Sequence, residues 1–194
     1  MQDLFRVAII VVMTTHHHHQ IRALIERLAR LSESEDWAGD LNPAQMAALS
    51  YLSNANRFSR APSHVATFSG STRGTVSQTL RALERKGLVT EARSQNDRRS
   101  ISYSVTAEGR DLARSGKALD TAIASLPPDR AQALERGLGD VLRALLAVQG
   151  GRSFGLCRQC RHHEPRGSDG YCRLLKVDLE PAETEQICHE HEPA

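Results

Sequence analysis

The sequence predicts a mainly α-helical chain with one small β-hairpin, an α+β class, followed by a cysteine-rich C-terminal tail. Three observations predict it. Apolar residues recur at spacings of three and four through most of the chain up to Leu146, the mark of amphipathic helices. One short stretch, Ile101 to Val105, instead alternates apolar with polar. Aromatic residues make up only 4% of the 194 residues against 40% hydrophobic, so the core leans on Leu, Ala, Ile and Val, which favours helices over a large sheet.

Ile21, Leu24, Ile25, Leu28 and Leu31 define the first apolar face, on a helix expected to end before the acidic stretch Glu33 to Asp36. Residues 1–12 contrast with the polar sequence after Met13, and two readings stand for them: an upstream start codon, or an N-terminal strand or arm. His16 to His19 run straight into the helix and read as its solvated start rather than as ligands. Asn42-Pro43 supplies an N-cap and a proline at the first helical position. A second helix then carries Met46, Leu49 and Leu52. A short third helix after Pro62 carries Val65 and Phe68 and stops at Gly70, and its His64 is expected to be exposed. Ser71 is expected to cap a fourth helix with the stripe Val76, Leu80 and Leu83, which Gly87 closes as a left-handed cap.

Ile101, Tyr103 and Val105 alternate with Ser100, Ser102 and Ser104, which with the segment from Leu88 to Arg93 describes a hairpin. Thr106 caps a long helix carrying Leu112, Leu119 and Ile123. Pro127-Pro128 breaks the path, and a last helix carries Leu134, Leu138, Val141, Leu142, Leu145 and Leu146 before Gly150-Gly151. Two short helices joined by a turn and followed at once by a hairpin describe a winged helix-turn-helix. The outer helices are too apolar to stand alone, so they need the chain's own core or a second copy. Trp37 is expected to pack within a loop.

The net charge of +2 says little, but its distribution is uneven. Between Arg60 and Arg99 there are eight basic residues against three acidic, an excess of five positive charges. Such a window is the footprint of a polyanionic partner. From residue 151 onward acids outnumber bases by eight to six, which argues against a DNA-binding arm. The longest apolar run, Val7 to Met13, is far short of the ~20 residues that span a bilayer. No small-residue cleavage site follows it, against a signal peptide. No membrane partner is expected, and the expected location is cytoplasmic.

Several linked stretches resemble MarR-type regulators. Leu41-Asn42-Pro43-Ala44-Gln45 looks like the family's helix start. The run from Thr72 to Val89, with Arg73, Ser77, Gln78, Leu80, Arg81, Leu83, Glu84, Lys86 and Gly87, looks like its recognition helix. Asn96-Asp97-Arg98-Arg99, then Val105-Thr106-Ala107-Glu108-Gly109, is similar to its wing and the start of its next helix. The resemblance covers residues 21–148. It implies a homodimer that binds double-stranded DNA at a palindromic operator, in most cases as a repressor. Many such proteins respond to small aromatic or phenolic ligands. The chain then divides into an N-terminal extension (1–15), a dimerisation helix and loop (16–40), the winged helix-turn-helix (41–106), C-terminal dimerisation helices (107–150) and the cysteine-rich tail (151–194).

The residues support a DNA interface independently. Val76, Leu80 and Leu83 dock the recognition helix on the protein. Ser71, Thr72, Arg73, Thr75, Ser77, Gln78 and Arg81 face away, with short hydroxyls that permit close approach to the major groove. Arg73 and Gln78 suit base edges, Arg toward guanine and Gln toward adenine, while Ser and Thr suit phosphates. In the wing, the resemblance implies that Arg98 or Arg99 enters the minor groove while Asp97 braces the turn or an arginine. Which arginine does which is open.

All four cysteines lie in the tail: Cys157, Cys160, Cys172 and Cys188. A C-x2-C knuckle brings two thiolates to one centre, and two more complete a four-sulfur set. The tail has few large apolar residues, so a metal crosslink would make good a small core. Disulfides fit a reducing compartment poorly. Structural zinc usually pairs two knuckles, whereas an iron–sulfur cluster tolerates the wide spacing of Cys172 and Cys188. The cluster is the preferred of the two. His162, His163, His189 and His191 are alternative ligands. This tail departs from ordinary MarR-type chains, so the signal is open: metal, redox state or a small-molecule effector.

Two other readings compete: a metal or redox protein whose helix-turn-helix serves protein contacts, and a small-ligand-responsive regulator with a purely structural zinc tail. An enzyme is not expected, since the sequence has no glycine-rich phosphate loop, no paired-carboxylate signature and no nucleophile elbow.

Overall fold

The computed structural model describes residues 2–35, 40–93, 101–114 and 118–194, with side chains from residue 17 onward. Trp37 and the wing-tip residues Asp97, Arg98 and Arg99 lie outside the described residues. The described chain forms two compact units, one of residues 1–43 and 116–125 and one of residues 44–115 and 126–194.

In the first unit, α1 (Gln2–Glu35) is a single helix. Residues 2–12 are therefore helical rather than extended. The helix also runs on through Ser32, Glu33 and Ser34, past the point where the acidic stretch was expected to end it. Glu35 instead accepts the backbone N–H of Ala118 at the start of α6 (Ala118–Ala124), 3.0 Å away. Arg22 and Arg30 flank Glu26 at one-turn spacing and hold its carboxyl below the usual carboxylate range, Arg22 most strongly.

The second unit is built on α2 (Pro43–Asn54), a short 3₁₀ turn (Arg57–Ser59), α3 (Pro62–Phe68) and α4 (Arg73–Arg85). Its core contains the residues that the periodicity selects: Met46, Leu49, Leu52, Val65, Val76, Leu80 and Leu83 are all buried. Phe68 is the exception, 45% exposed at the end of its helix. The cap of α4 is Thr72 rather than Ser71; its hydroxyl accepts the N–H of Thr75 at 3.2 Å. One residue separates the two candidates, and the extended backbone of Thr72 (φ −79°, ψ 151°) meets the cap geometry. Gly87, at φ 72°, closes the helix and turns the chain into the hairpin.

β1 (Val89–Arg93) and β2 (Ile101–Val105) pair antiparallel, with Val89 opposite Val105 and Glu91 opposite Tyr103. Tyr103 is buried and its hydroxyl donates to Glu91 at 3.0 Å. Thr106 caps α5 (Ala107–Ala113) and also donates to the Gly87 carbonyl at 2.9 Å, tying the hairpin base to the next helix. The helix expected to continue through Leu119 and Ile123 stops instead at Ala113, with Arg114 as its C-cap. α7 (Pro128–Gln149) begins at the second proline and ends at Gly150, φ 64°. No residue of α7 is buried within the single chain.

The tail folds into short strands. β3 (Gly155–Leu156) pairs with β7 (Ile187–Cys188), and β4 (His163–Arg166), β5 (Asp169–Cys172) and β6 (Val177–Leu179) form a three-stranded antiparallel sheet. α8 (Pro181–Thr184) connects β6 to β7. Among the described residues no helix is long and apolar enough to cross a membrane.

Candidate nucleic-acid interface and cysteine centre

α4 owes its orientation to its own sequence. Val76, Leu80 and Leu83 lie at i, i+4 and i+7, and all three are at most 4% exposed. With that stripe buried, the opposite face must point outward. Ser71, Thr72, Arg73, Thr75, Gln78 and Arg81 are exposed, and Ser77 is half-buried at the edge. Thr72 and Thr75 do more at the helix start than sequence reasoning assigned to them: their hydroxyls are bonded to each other at 2.8 Å. Arg73, Gln78 and Arg81 are the longest side chains on this face. No acidic residue stands in the first turn of α4, so nothing there opposes the positive end of the helix dipole.

The hairpin is fixed to α4 at its base. The Glu84 carboxylate accepts the backbone N–H of Glu91 at 3.2 Å, and Arg93 pairs with Glu91 at 2.8 Å. These contacts orient the strands that lead to residues 94–100, the predicted wing tip.

The C-x2-C pair Cys157 and Cys160 and the more distant Cys172 and Cys188 all line one small cavity with His162, His163, Leu174, Leu179 and Glu190. All four are free thiols. Among the described residues, no group of three or more His, Cys, Asp or Glu side chains is arranged as a coordination sphere. Their hydrogen bonds take a different form. The neighbouring Cys157 thiol, with which it interacts, holds the Cys188 thiol below its ordinary value. The same contact, with burial, pushes Cys157 far up.

Donors surround the sulfurs. Asn56 Nδ2 donates to Cys157 Sγ at 3.2 Å, Leu175 N–H to Cys172 at 3.5 Å and Glu192 N–H to Cys160 at 3.5 Å. The Asn56 amide, the Glu190 backbone and the Ser59 hydroxyl also lower the Cys188 thiol.

Sequence reasoning missed how the tail is placed. It packs on the helix-turn-helix itself. Cys157, Leu179 and Cys188 form a core joined by Phe58 from the 3₁₀ turn. Arg57 pairs with the buried Glu183 and donates to the Asp178 carbonyl at 2.9 Å. Phe154, held at φ 45°, meets Tyr51 and Phe68 edge-on, with ring centroids 6.2 and 5.4 Å away. His64 is half-buried against His189 rather than exposed. The signal available in the sequence was Asn56 and Ser59 on either side of Phe58, where the local turn satisfies the Asn56 oxygen but not its NH2 group.

Comparison with known proteins agrees with this geometry. Residues 39–100 match the MarR family. No curated protein matches the chain. Among solved structures, Streptococcus pneumoniae FabT in complex with DNA superposes with a TM-score of 0.56 at 22% identity, over 70% of this chain and 99% of that one. Staphylococcus aureus MepR superposes in its DNA-binding conformation with a TM-score of 0.55 at 21% identity, over 66% of this chain and 98% of that one. The MepR–DNA complex gives 0.52 at 21% identity, over 66% and 97%. Residues 39–100 are thus similar to the MarR family, and the chain shares the winged helix-turn-helix fold of these solved structures.

Proposed function

We propose that this chain is a sequence-specific DNA-binding transcriptional regulator, a repressor in its simplest form, that engages a palindromic operator as a homodimer. The observation that carries this reading is the two-sided α4. Its aliphatic stripe is buried while Arg73, Gln78 and Arg81 stand outward on a helix of a size to enter the major groove. FabT and MepR, which share the fold, were both solved with DNA, and this supports the same use here.

Dimerisation is supported by apolar stripes on two helices. On α1, Ile21, Leu24, Leu28 and Leu31 are 46–61% exposed. On α7, Leu138, Val141, Leu142 and Leu145 are 46–51% exposed. Stripes this long on a single chain fit burial against a second copy. A monomer at micromolar concentration in sedimentation would remove this part of the reading.

The finer part is that Cys157, Cys160, Cys172 and Cys188 hold an iron–sulfur cluster or zinc, through which metal supply or redox state adjusts the regulator. Its support is the convergence of all four on one cavity. Anaerobic purification decides between the two: visible absorbance with iron and acid-labile sulfide for a cluster, a colourless protein with stoichiometric zinc for the other.

The test of the main reading is fluorescence anisotropy with the DNA upstream of the protein's own coding region. Binding should weaken linearly in log–log form as salt rises, because neutralised phosphates release counterions. Arg73→Ala with Arg98→Ala should abolish it. Binding that is absent, or unaffected by those changes, would instead favour a protein-contact role for the helix-turn-helix.

A further inference from the structure

We infer that Asn56, held by Ser59 and like it part of the DNA-reading unit and not of the tail, completes the cysteine centre from outside, so that loading it with a thiophilic metal changes operator affinity. The inference rests on the regulator reading above and adds the route by which the tail acts on it.

The first argument is chemical. A thiol sulfur is a weak acceptor, whereas a thiolate is a strong one. Here the sulfurs of Cys157, Cys160 and Cys172 are each met by a nitrogen donor, at 3.2–3.5 Å. Such N–H to sulfur bonds suit thiolates bound to a cation, whose charge and potential they tune. Asn56 is 0% exposed, so its amide has no water to turn to. Its Oδ1 is already used, accepting the Phe58 N–H at 3.1 Å and the Ser59 hydroxyl at 2.7 Å. Its NH2 group is left to the sulfur of Cys157, 3.2 Å away.

The second argument is mechanical. The turn from Ala55 to Arg60 is held on both sides. Toward the tail, the Asn56 N–H donates to the Ile187 carbonyl at 3.0 Å, and the Ser59 hydroxyl accepts the His189 N–H at 2.9 Å. Toward the DNA-reading elements, the Tyr51 hydroxyl donates to the Ser59 carbonyl at 2.8 Å, and the Tyr103 N–H on the wing strand donates to the Arg60 carbonyl at 3.0 Å. A change in the charge on the sulfurs changes the partner of a buried donor in this turn. The turn in turn positions α3 and β2.

The test uses the full chain, stripped with a chelator and reloaded with Zn²⁺, with Co²⁺ as a spectroscopic probe, or with iron and sulfide. Loaded and stripped wild type should differ in operator affinity by about 5- to 150-fold, the usual range of coupling between two sites. Asn56→Asp keeps an oxygen to accept from Phe58 and Ser59 but removes both N–H donors. It should bind Co²⁺ more weakly, shift the thiolate-to-cobalt absorption, and bring the loaded-to-stripped ratio close to one. Ser59→Ala carries the same test should Asn56→Asp fail to fold.

If both variants show wild-type cobalt spectra and an unchanged ratio, the inference is overturned. It is also overturned if the wild type takes up no zinc, cobalt or cluster, or binds operator equally in both states. Absence of DNA binding in every state, with cobalt bands that still respond to Asn56→Asp, would instead sink the regulator reading and leave the outer donors assigned.

Discussion

The imidazole of His64 on α3 lies flat against that of His189 in the tail, ring centroids 3.5 Å apart and planes 19° from parallel. Burial pushes His64 down to about 4, and the neighbouring His189 adds to the effect; burial lowers His189 as well. The stack is therefore a contact between two neutral rings. An unfolded histidine takes up its proton near pH ~6.5, before the folded one does. The stabilisation is full above that value and is lost as pH falls from it toward 4. Denaturant unfolding followed from pH about 7.5 to about 5 should show a shallower loss of stability in His64→Gln than in wild type. Parallel losses in the two proteins would show that the stack contributes nothing to the acid response.

Arg73 and Gln78 stand exposed on the outer face of α4. Replacing either with Ala should cost about 1–3 kcal/mol of binding at the cognate operator and relax its sequence preference. Thermal stability should stay within about 0.5 kcal/mol of wild type, since neither side chain is part of the core. Arg81→Ala, by contrast, should weaken binding to all sequences alike and reduce the salt slope by about one. A melting point lowered in step with affinity would show that these residues hold the fold instead.

Leu80 is 0% exposed and central to the stripe that fixes α4. Leu80→Ala should cost about 2–5 kcal/mol of unfolding free energy, read from the urea midpoint. Leu138, 46% exposed on α7, should behave differently. Leu138→Ala should leave far-UV circular dichroism unchanged and raise the dimer dissociation constant. If both substitutions act only on folding, α7 is covered by its own chain.

Gly109 marks the closest approach of α5 to the hairpin base. A Cβ there would lie 2.2 Å from the Leu88 carbonyl oxygen and 2.8 Å from Val105 Cγ1. Gly109→Ala should destabilise by about 1–3 kcal/mol through the backbone shift it forces. An unchanged denaturation midpoint would mean that the junction is loose.

Local pattern carried most of the DNA-reading unit. The 3.6-residue period selected Val76, Leu80 and Leu83 as the docking face, and the period of two selected Ile101, Tyr103 and Val105 as the inward side of the hairpin, of which Tyr103 is buried and the other two half-buried. Both selections hold because a side chain's direction on a helix or strand follows from its position alone. Where cap geometry depends on one dihedral, as between Ser71 and Thr72, pattern reading missed by a single residue. At the acidic end of α1 it missed by several, because Glu35 accepts a backbone N–H from a helix some eighty residues away in sequence.

Composition, periodicity and motif spacing by themselves determined an α+β chain with an outward-facing recognition helix and a four-sulfur tail. They did so because helix faces, turns and cysteine spacing are local properties. Only the tertiary structure decided that the tail lies on the 3₁₀ turn, with Asn56 against Cys157 and His64 against His189, 101 and 125 positions apart in sequence. Those pairings depend on which buried polar groups find partners once the chain is packed, and no local spacing records that outcome.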